Sequence, residues 1–207
     1  MRLQSFITVT LFVGIFCIIG CSKNDEITVI PSTTPAGNTS ATTTVDPYAA
    51  IKLAFGINID PTNLENYANQ GKPAYIVKNN LGNNVITDKT ATLGRVLFYD
   101  KNLSINNTIS CASCHKQNFA FGDTALVSAG VEGGLTIRHS MRLINTRFAN
   151  EAKFFWNERA ASLEIQTTMP IQDHAEMGYS GQNGRPGLST LLSKLASINY
   201  YNELFYI

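Results

Sequence analysis

Charge is scarce in this 207-residue chain: only 15% of its residues are Asp, Glu, Lys or Arg, and the formal net charge is +1. With no excess of one sign there is no field to steer the protein toward nucleic acid or acidic substrates. Tryptophan occurs once, at Trp156, and cysteine four times. No internal repeat is visible, which removes solenoid and propeller architectures. The apolar run from Phe6 to Gly20 is 15 residues, short of the about 20 that a membrane span needs.

That run follows one basic residue, Arg2, and ends at "IIGC", so residues 1–20 read as an export signal. "IIGC" resembles a bacterial lipoprotein cleavage box, which implies that Cys21 becomes the first mature residue and carries acyl chains. Several such chains would anchor the protein stably on a membrane. The acidic "SKNDE" that follows Cys21 points weakly to the outer membrane, on the periplasmic side of the envelope. Residues 21–46, rich in Ser, Thr and Pro, contain almost nothing that could build a core and are expected to form a disordered, flexible tether. A single domain is expected from residue 47 to 207.

With Cys17 lost in the signal and Cys21 lipidated, Cys111 and Cys114 remain for one local purpose in an oxidising compartment. A redox disulfide needs only those two thiols. A zinc site needs four ligands and would have to recruit His115, His139 or His174. Covalent haem c needs Cys-x-x-Cys-His, with two thioethers one helical turn apart and the adjoining histidine on the iron. "CASCH" meets that last requirement in full, which favours haem with His115 as proximal ligand.

The flanking sequence is helical in period. Leu93, Val96 and Leu97 share a face over Thr90–Tyr99; Ala161, Leu163, Ile165 and Thr168 lie among helix formers over 157–169, with Pro170 as a stop; Leu188, Leu191, Leu192 and Leu195 form a stripe over 188–198. Each stripe is expected to pack into a core. "NNLGNNV" and "GVEGGL" read as turns.

Two longer stretches, "LGRVLFYDKNLSINNTISCASCHKQNFAFGD" (93–123) and "FFWNERAASLEIQTTMPIQDHAEMG" (154–178), resemble the first haem segment and the Phe-Trp-Asp-Gly-Arg-Ala, Leu-Glu-x-Gln and Glu-Met-Gly blocks of bacterial di-haem cytochrome c peroxidases, which include the MauG-type enzymes. The resemblance implies an all-α, cytochrome c-like fold. Two haem domains are expected in a full-length relative, of which this sequence holds only the first Cys-x-x-Cys-His; a true single-haem protein is the alternative.

It further implies reduction of hydrogen peroxide with electrons from a small cytochrome or cupredoxin. Glu176 would be the acid–base residue and Gln166 its ordering partner. Trp156 would lie between haems, Arg138 beside the haem pocket, and Asn145 at a candidate calcium site; a homodimer is a candidate state. Val131 stands where activation-dependent members carry a distal histidine, so the sixth iron position is expected to be open or water-filled. His139 and His174 read as structural. Asn157 and Glu158 replace the family's Asp-Gly, so the local turn is expected to differ. The competing class is a lipid-tethered mono-haem electron carrier with Met141, Met169 or Met177 as sixth ligand; a MauG-like enzyme acting on protein side chains is a third reading.

Overall fold

A computed structural model describes residues 45–82, 84–150 and 153–207. The expected signal, Cys21 and the tether up to residue 44 lie outside the described residues. None of the described helices is long and apolar enough to cross a membrane.

The core is built by three helices distant in sequence. Helix α1 (Ala49–Phe55) packs on α6 (Asn199–Leu204), and α2 (Asp88–Tyr99) joins them through Val96. Ile51, Ile59, Val96, Tyr201 and Leu204 are buried together. Burying each such side chain is worth about 1.5–3 kcal/mol. Helix α1 has no side-chain cap of its own; the Glu203 carboxylate on α6 accepts hydrogen bonds from the Ala50 and Ile51 N–H groups at 2.9 and 2.8 Å. An anion at orphan helix N–H groups is stabilising, so the same residue both caps α1 and docks α6 onto it.

Helix α2 starts two residues before the expected Thr90. Thr87 and Thr90 cap it reciprocally, each hydroxyl accepting the other's backbone N–H at 3.1 Å. Asp100 ends it, and its carboxylate accepts from the Asn102 N–H and the Tyr200 and Tyr201 hydroxyls, each at 2.7 Å. Burial, reinforced by the Asp100 hydrogen bond, pushes the Tyr200 phenol up to about 12 and Tyr201 higher still.

Helix α3 is one turn, Cys111–Cys114. Helix α4 spans Leu163–Gln172 and α5 spans Leu188–Ala196. Among the described residues the only extended pairing is three isolated antiparallel bridges, Lys116–Gly122, Ala129–Leu135 and Phe154–Ala160. The fold is therefore all-α with the helices joined by structured loops.

Two expectations about α4 need correction. It begins at Leu163 because residues 154–160 close a loop around Trp156, and Ser162 then caps the Ile165 N–H at 3.3 Å. Pro170 lies inside the helix rather than stopping it. Proline forfeits its own N–H bond and crowds the carbonyl four residues earlier, but here only two helical residues follow it, so the chain continues to Gln172 before the helix ends. The core-packing expectation also fails at Ala161 and Thr168, which are exposed, and at Ile165 and Leu192, which are 48% and 60% exposed.

Asp100 is the joint between α2 and α6, so Asp100→Ala strands two phenolic donors. The variant should lose roughly 2–3 kcal/mol, a fall of about 5–10 °C in melting temperature. Tyr200→Phe, which removes one of those donors, should cost less; equal melting curves for wild type and Asp100→Ala would refute the joint.

Candidate functional site

Cys111 and Cys114 stand one turn apart on α3, both as free, half-buried thiols. Ser110 precedes them, its N–H donating to the Ser113 hydroxyl at 3.0 Å. The His115 N–H closes the turn on the Cys111 carbonyl at 2.9 Å. Burial raises the pKa of both thiols.

The loop "KQNFAFG" folds back beneath α3. The Lys116 N–H donates to the Gly122 carbonyl at 2.8 Å and the Phe121 N–H to the Lys116 carbonyl at 2.9 Å. This return sets the Phe121 carbonyl 2.9 Å from His115 Nδ1. A carbonyl can only accept, so Nδ1 carries the proton and Nε2 keeps its lone pair. Burial holds the His115 pKa below its ordinary value, against the opposing pull of the Phe121 and Met141 carbonyls and Asp123. A neutral imidazole with a fixed tautomer is what a metal ligand must be. Two thiols one turn apart and one such imidazole fit covalent haem c.

Asp123 supports this segment from behind. Its carboxylate accepts from Lys116 Nζ at 2.7 Å, the Ser128 hydroxyl at 2.6 Å and the Thr124 N–H at 2.7 Å. Burial alone would raise its pKa, but these donors more than offset it and hold Asp123 well below the ordinary carboxylate range.

Glu176 sits on a second loop. Asp173 Oδ1 accepts from the Ala175 and Glu176 N–H groups at 2.9 and 3.0 Å, and the Gly178 N–H donates to the Asp173 carbonyl at 2.8 Å. The turn thus presents Glu176 half-buried, and its charge acts on Cys114 to raise the thiol pKa. Burial first, and the Asp173 charge second, push the Glu176 carboxyl up to about 7, with Arg159 pulling the other way.

A third loop clasps that turn. The Val131 N–H donates toward the Ala175 and Glu176 carbonyls at 3.1 and 3.0 Å, and Val131 is 1% exposed. A Cβ on Gly130 would lie 1.9 Å from the Ala175 oxygen, and one on Gly134 2.5 Å from it. No side chain fits there, so glycine is required at both positions.

The remaining expected site residues are placed as follows. Gln166 is half-buried on α4, while Arg138 and Asn145 are exposed. The backbone carbonyl of Asn145 already accepts the Phe148 N–H at 2.8 Å. No group of three or more His, Cys, Asp or Glu that could hold a metal ion occurs among the described residues. Trp156 is 56% exposed, so it is no core anchor. Its indole N–H donates to the His139 carbonyl at 2.9 Å, and His139 Nδ1 donates to the Ala125 carbonyl at 2.8 Å. Met177 is buried at 3% exposure.

Sequence reasoning missed Asp173, Arg159, Gly130 and Gly134. Asp173 carried a readable signal, since Asp-x-x-Glu is a capping pattern; the tight approach at Gly130 becomes visible only in three dimensions.

A single-turn Cys-x-x-Cys-His helix in an all-α fold, with a half-buried carboxyl near enough for its charge to act on Cys114, has the make-up of a c-type haem protein. The chain belongs to the di-haem cytochrome c peroxidase family, whose model matches residues 88–206, more than half its length. It is 30% identical over 122 residues to the methylamine utilization protein MauG of Methylophilus methylotrophus, covering 59% of this chain and 34% of that protein. It is 35% identical over 103 residues to the cytochrome-c peroxidase IdrP1 of Denitromonas iodatirespirans, covering 50% and 26%. Among solved structures, a MauG-like protein associated with microbial copper homeostasis superposes with a TM-score of 0.57 at 32% identity, over 66% of this chain and 39% of that one. The chain therefore spans about a third of the length of the first of these curated relatives and about a quarter of the second.

Because the Glu176 pKa is raised from 4.5 to about 7, its burial favours the folded state fully below pH 4.5. That contribution is lost as pH rises through 7. Glu176→Gln cannot ionise, so it should gain melting temperature relative to wild type at pH 8.5 and gain less at pH 5. A gain independent of pH would show that the carboxyl is already solvated.

Proposed function

We propose that this chain is the peroxidatic half of a cytochrome c peroxidase, reducing hydrogen peroxide to water with electrons from a small donor protein. The observation that carries the reading is Glu176: a carboxyl held by its own turn beside the Cys-x-x-Cys-His segment and poised near neutral pH. Cys111, Cys114 and His115 would hold haem c, which supplies the redox iron at which peroxide is reduced. One peroxide, two electrons and two protons give two waters, with the oxygen–oxygen bond broken.

The protein's own task is to move a proton between the two oxygens. As a carboxylate, Glu176 takes the proton from one peroxide oxygen; as a carboxylic acid, it returns that proton to the departing one. A group with a pKa near the working pH does both efficiently. Gln166 would orient peroxide or water through its amide. Val131 offers no atom that binds iron, so at that position the loop that clasps Glu176 would supply no ligand to a haem held by His115.

The second haem, which would pass electrons from the donor, belongs to the part of the family arrangement that this sequence does not hold. Lipidation at Cys21 and a tether to residue 46 would place the domain on the periplasmic side of the envelope.

The test is stopped-flow spectroscopy of the haem-loaded protein with peroxide. Wild type should show a high-spin spectrum that changes rapidly, and Glu176→Gln should respond about a hundredfold more slowly or worse. The wild-type rate should fall below about pH 7 as Glu176 protonates. Asp173→Asn keeps the capping oxygen but removes the charge, so it should move that limb to lower pH; Arg159→Gln should move it higher. A low-spin spectrum indifferent to peroxide in both wild type and Glu176→Gln would instead identify an electron carrier.

A further inference from the structure

We propose that Arg185 is the positioning residue of the site, the side chain that locks the Glu176 turn against the loop carrying Val131; this rests on the reading of Glu176 as the acid–base group. Arg185 lies on the loop that follows the turn, and its guanidinium reaches two segments, the Val131 loop at Glu132 and the Glu176 turn at His174 and Gly178. Nη2 donates to the Glu132 carboxylate at 3.0 Å. Nε donates to His174 Nε2 at 3.4 Å, and the other ring nitrogen, Nδ1, donates its proton to the Ser180 hydroxyl at 3.0 Å. Nη1 lies against Gly178, where a Cβ would be 3.1 Å from it.

The energetics argue against an ordinary surface ion pair. Glu132 is 59% exposed while the Arg185 side chain is only 16% exposed. Pairing with so exposed a carboxylate contributes little, about 0–1 kcal/mol. Yet Nη1 is buried with no hydrogen-bond partner among the described residues, and such a donor is costly. A stabilising salt bridge alone does not account for that arrangement. It is explained if the planar fork is needed as a wedge, packed beside Gly178 together with the Ile105 side chain while its other edge grips Glu132.

The two gripped segments are the two sides of the clasp. Glu132 follows Val131, whose N–H points at the Ala175 and Glu176 carbonyls, and it is held at φ 53, a conformation that non-glycine residues adopt only under constraint. His174 and Gly178 flank Glu176 by two residues on either side. Arg185 therefore spans from one wall to the other and fixes where Glu176 can stand, without touching the reacting atoms.

The test uses the haem-loaded protein and two readouts. In Arg185→Met, amide hydrogen exchange at Val131 and Gly178 should accelerate by about tenfold or more, while Val96 and Tyr201 in the helical core stay protected. The peroxide reaction should slow by about tenfold or more, as a misplaced catalytic group does. Glu132→Gln, a change at an exposed residue that leaves folding intact, should reproduce both effects in weaker form. The double variant should be no worse than Arg185→Met alone, since the two residues act as one unit. Unchanged exchange at Val131 and Gly178 overturns the proposal, as does faster exchange with an unaltered peroxide rate when Glu176→Gln is slow. If Glu176→Gln itself reacts at the wild-type rate, the acid–base reading falls instead, and the exchange data alone decide whether Arg185 locks the turn.

Discussion

The Ala175 carbonyl is the point on which the site depends. It is packed under Gly130 and Gly134 so closely that neither can carry a side chain, and it receives the Val131 N–H. Backbone packed on backbone has little freedom to yield, because there are no rotamers to absorb a displacement. The loop that leaves the haem-binding segment is thereby fixed to the turn that presents Glu176.

Two carboxyls near the haem segment show how the fold assigns opposite roles to the same chemistry. Asp123 is enclosed, with its side chain 4% exposed, but it is surrounded by donors and stays ionised. Glu176 is half-buried, has Asp173 rather than a cation as its strongest charged influence, and is pushed up to about 7. Donors, not depth of burial, decide between them. The first holds the Lys116–Ser128 segment in place. The second is left under-solvated, at a cost in stability once it ionises.

Much of this was legible in the sequence because it is local. Cys111, Cys114 and His115 need only their spacing to be recognised, and α5 follows from its leucine stripe, although Leu192 on that stripe points to solvent. Equally local, although passed over in the sequence, are the Thr87–Thr90 cap and the Asp173 turn. What was not legible is the long-range placement. Glu203 caps α1 from 152 residues away, and Asp100 meets Tyr200 and Tyr201 only after the chain has folded. Periodicity cannot announce such partners, because it reports which face is apolar and not what will cover it. Pro170 misled for a related reason: its effect depends on how much helix remains after it.

Trp156 illustrates the difference between being buried and being held. A lone tryptophan in a helical protein is ordinarily read as a core anchor, because its large apolar area is its main contribution. Here more than half of it faces solvent, and its orientation comes from hydrogen bonds instead. The indole N–H ends on the His139 carbonyl, and the His139 ring in turn grips the Ala125 carbonyl. Three loops, those of Ala125, His139 and Trp156, are tied into one unit by two polar contacts. An aromatic face fixed in this way stays pre-oriented while exposed, so a partner surface meeting it would not have to order the ring first.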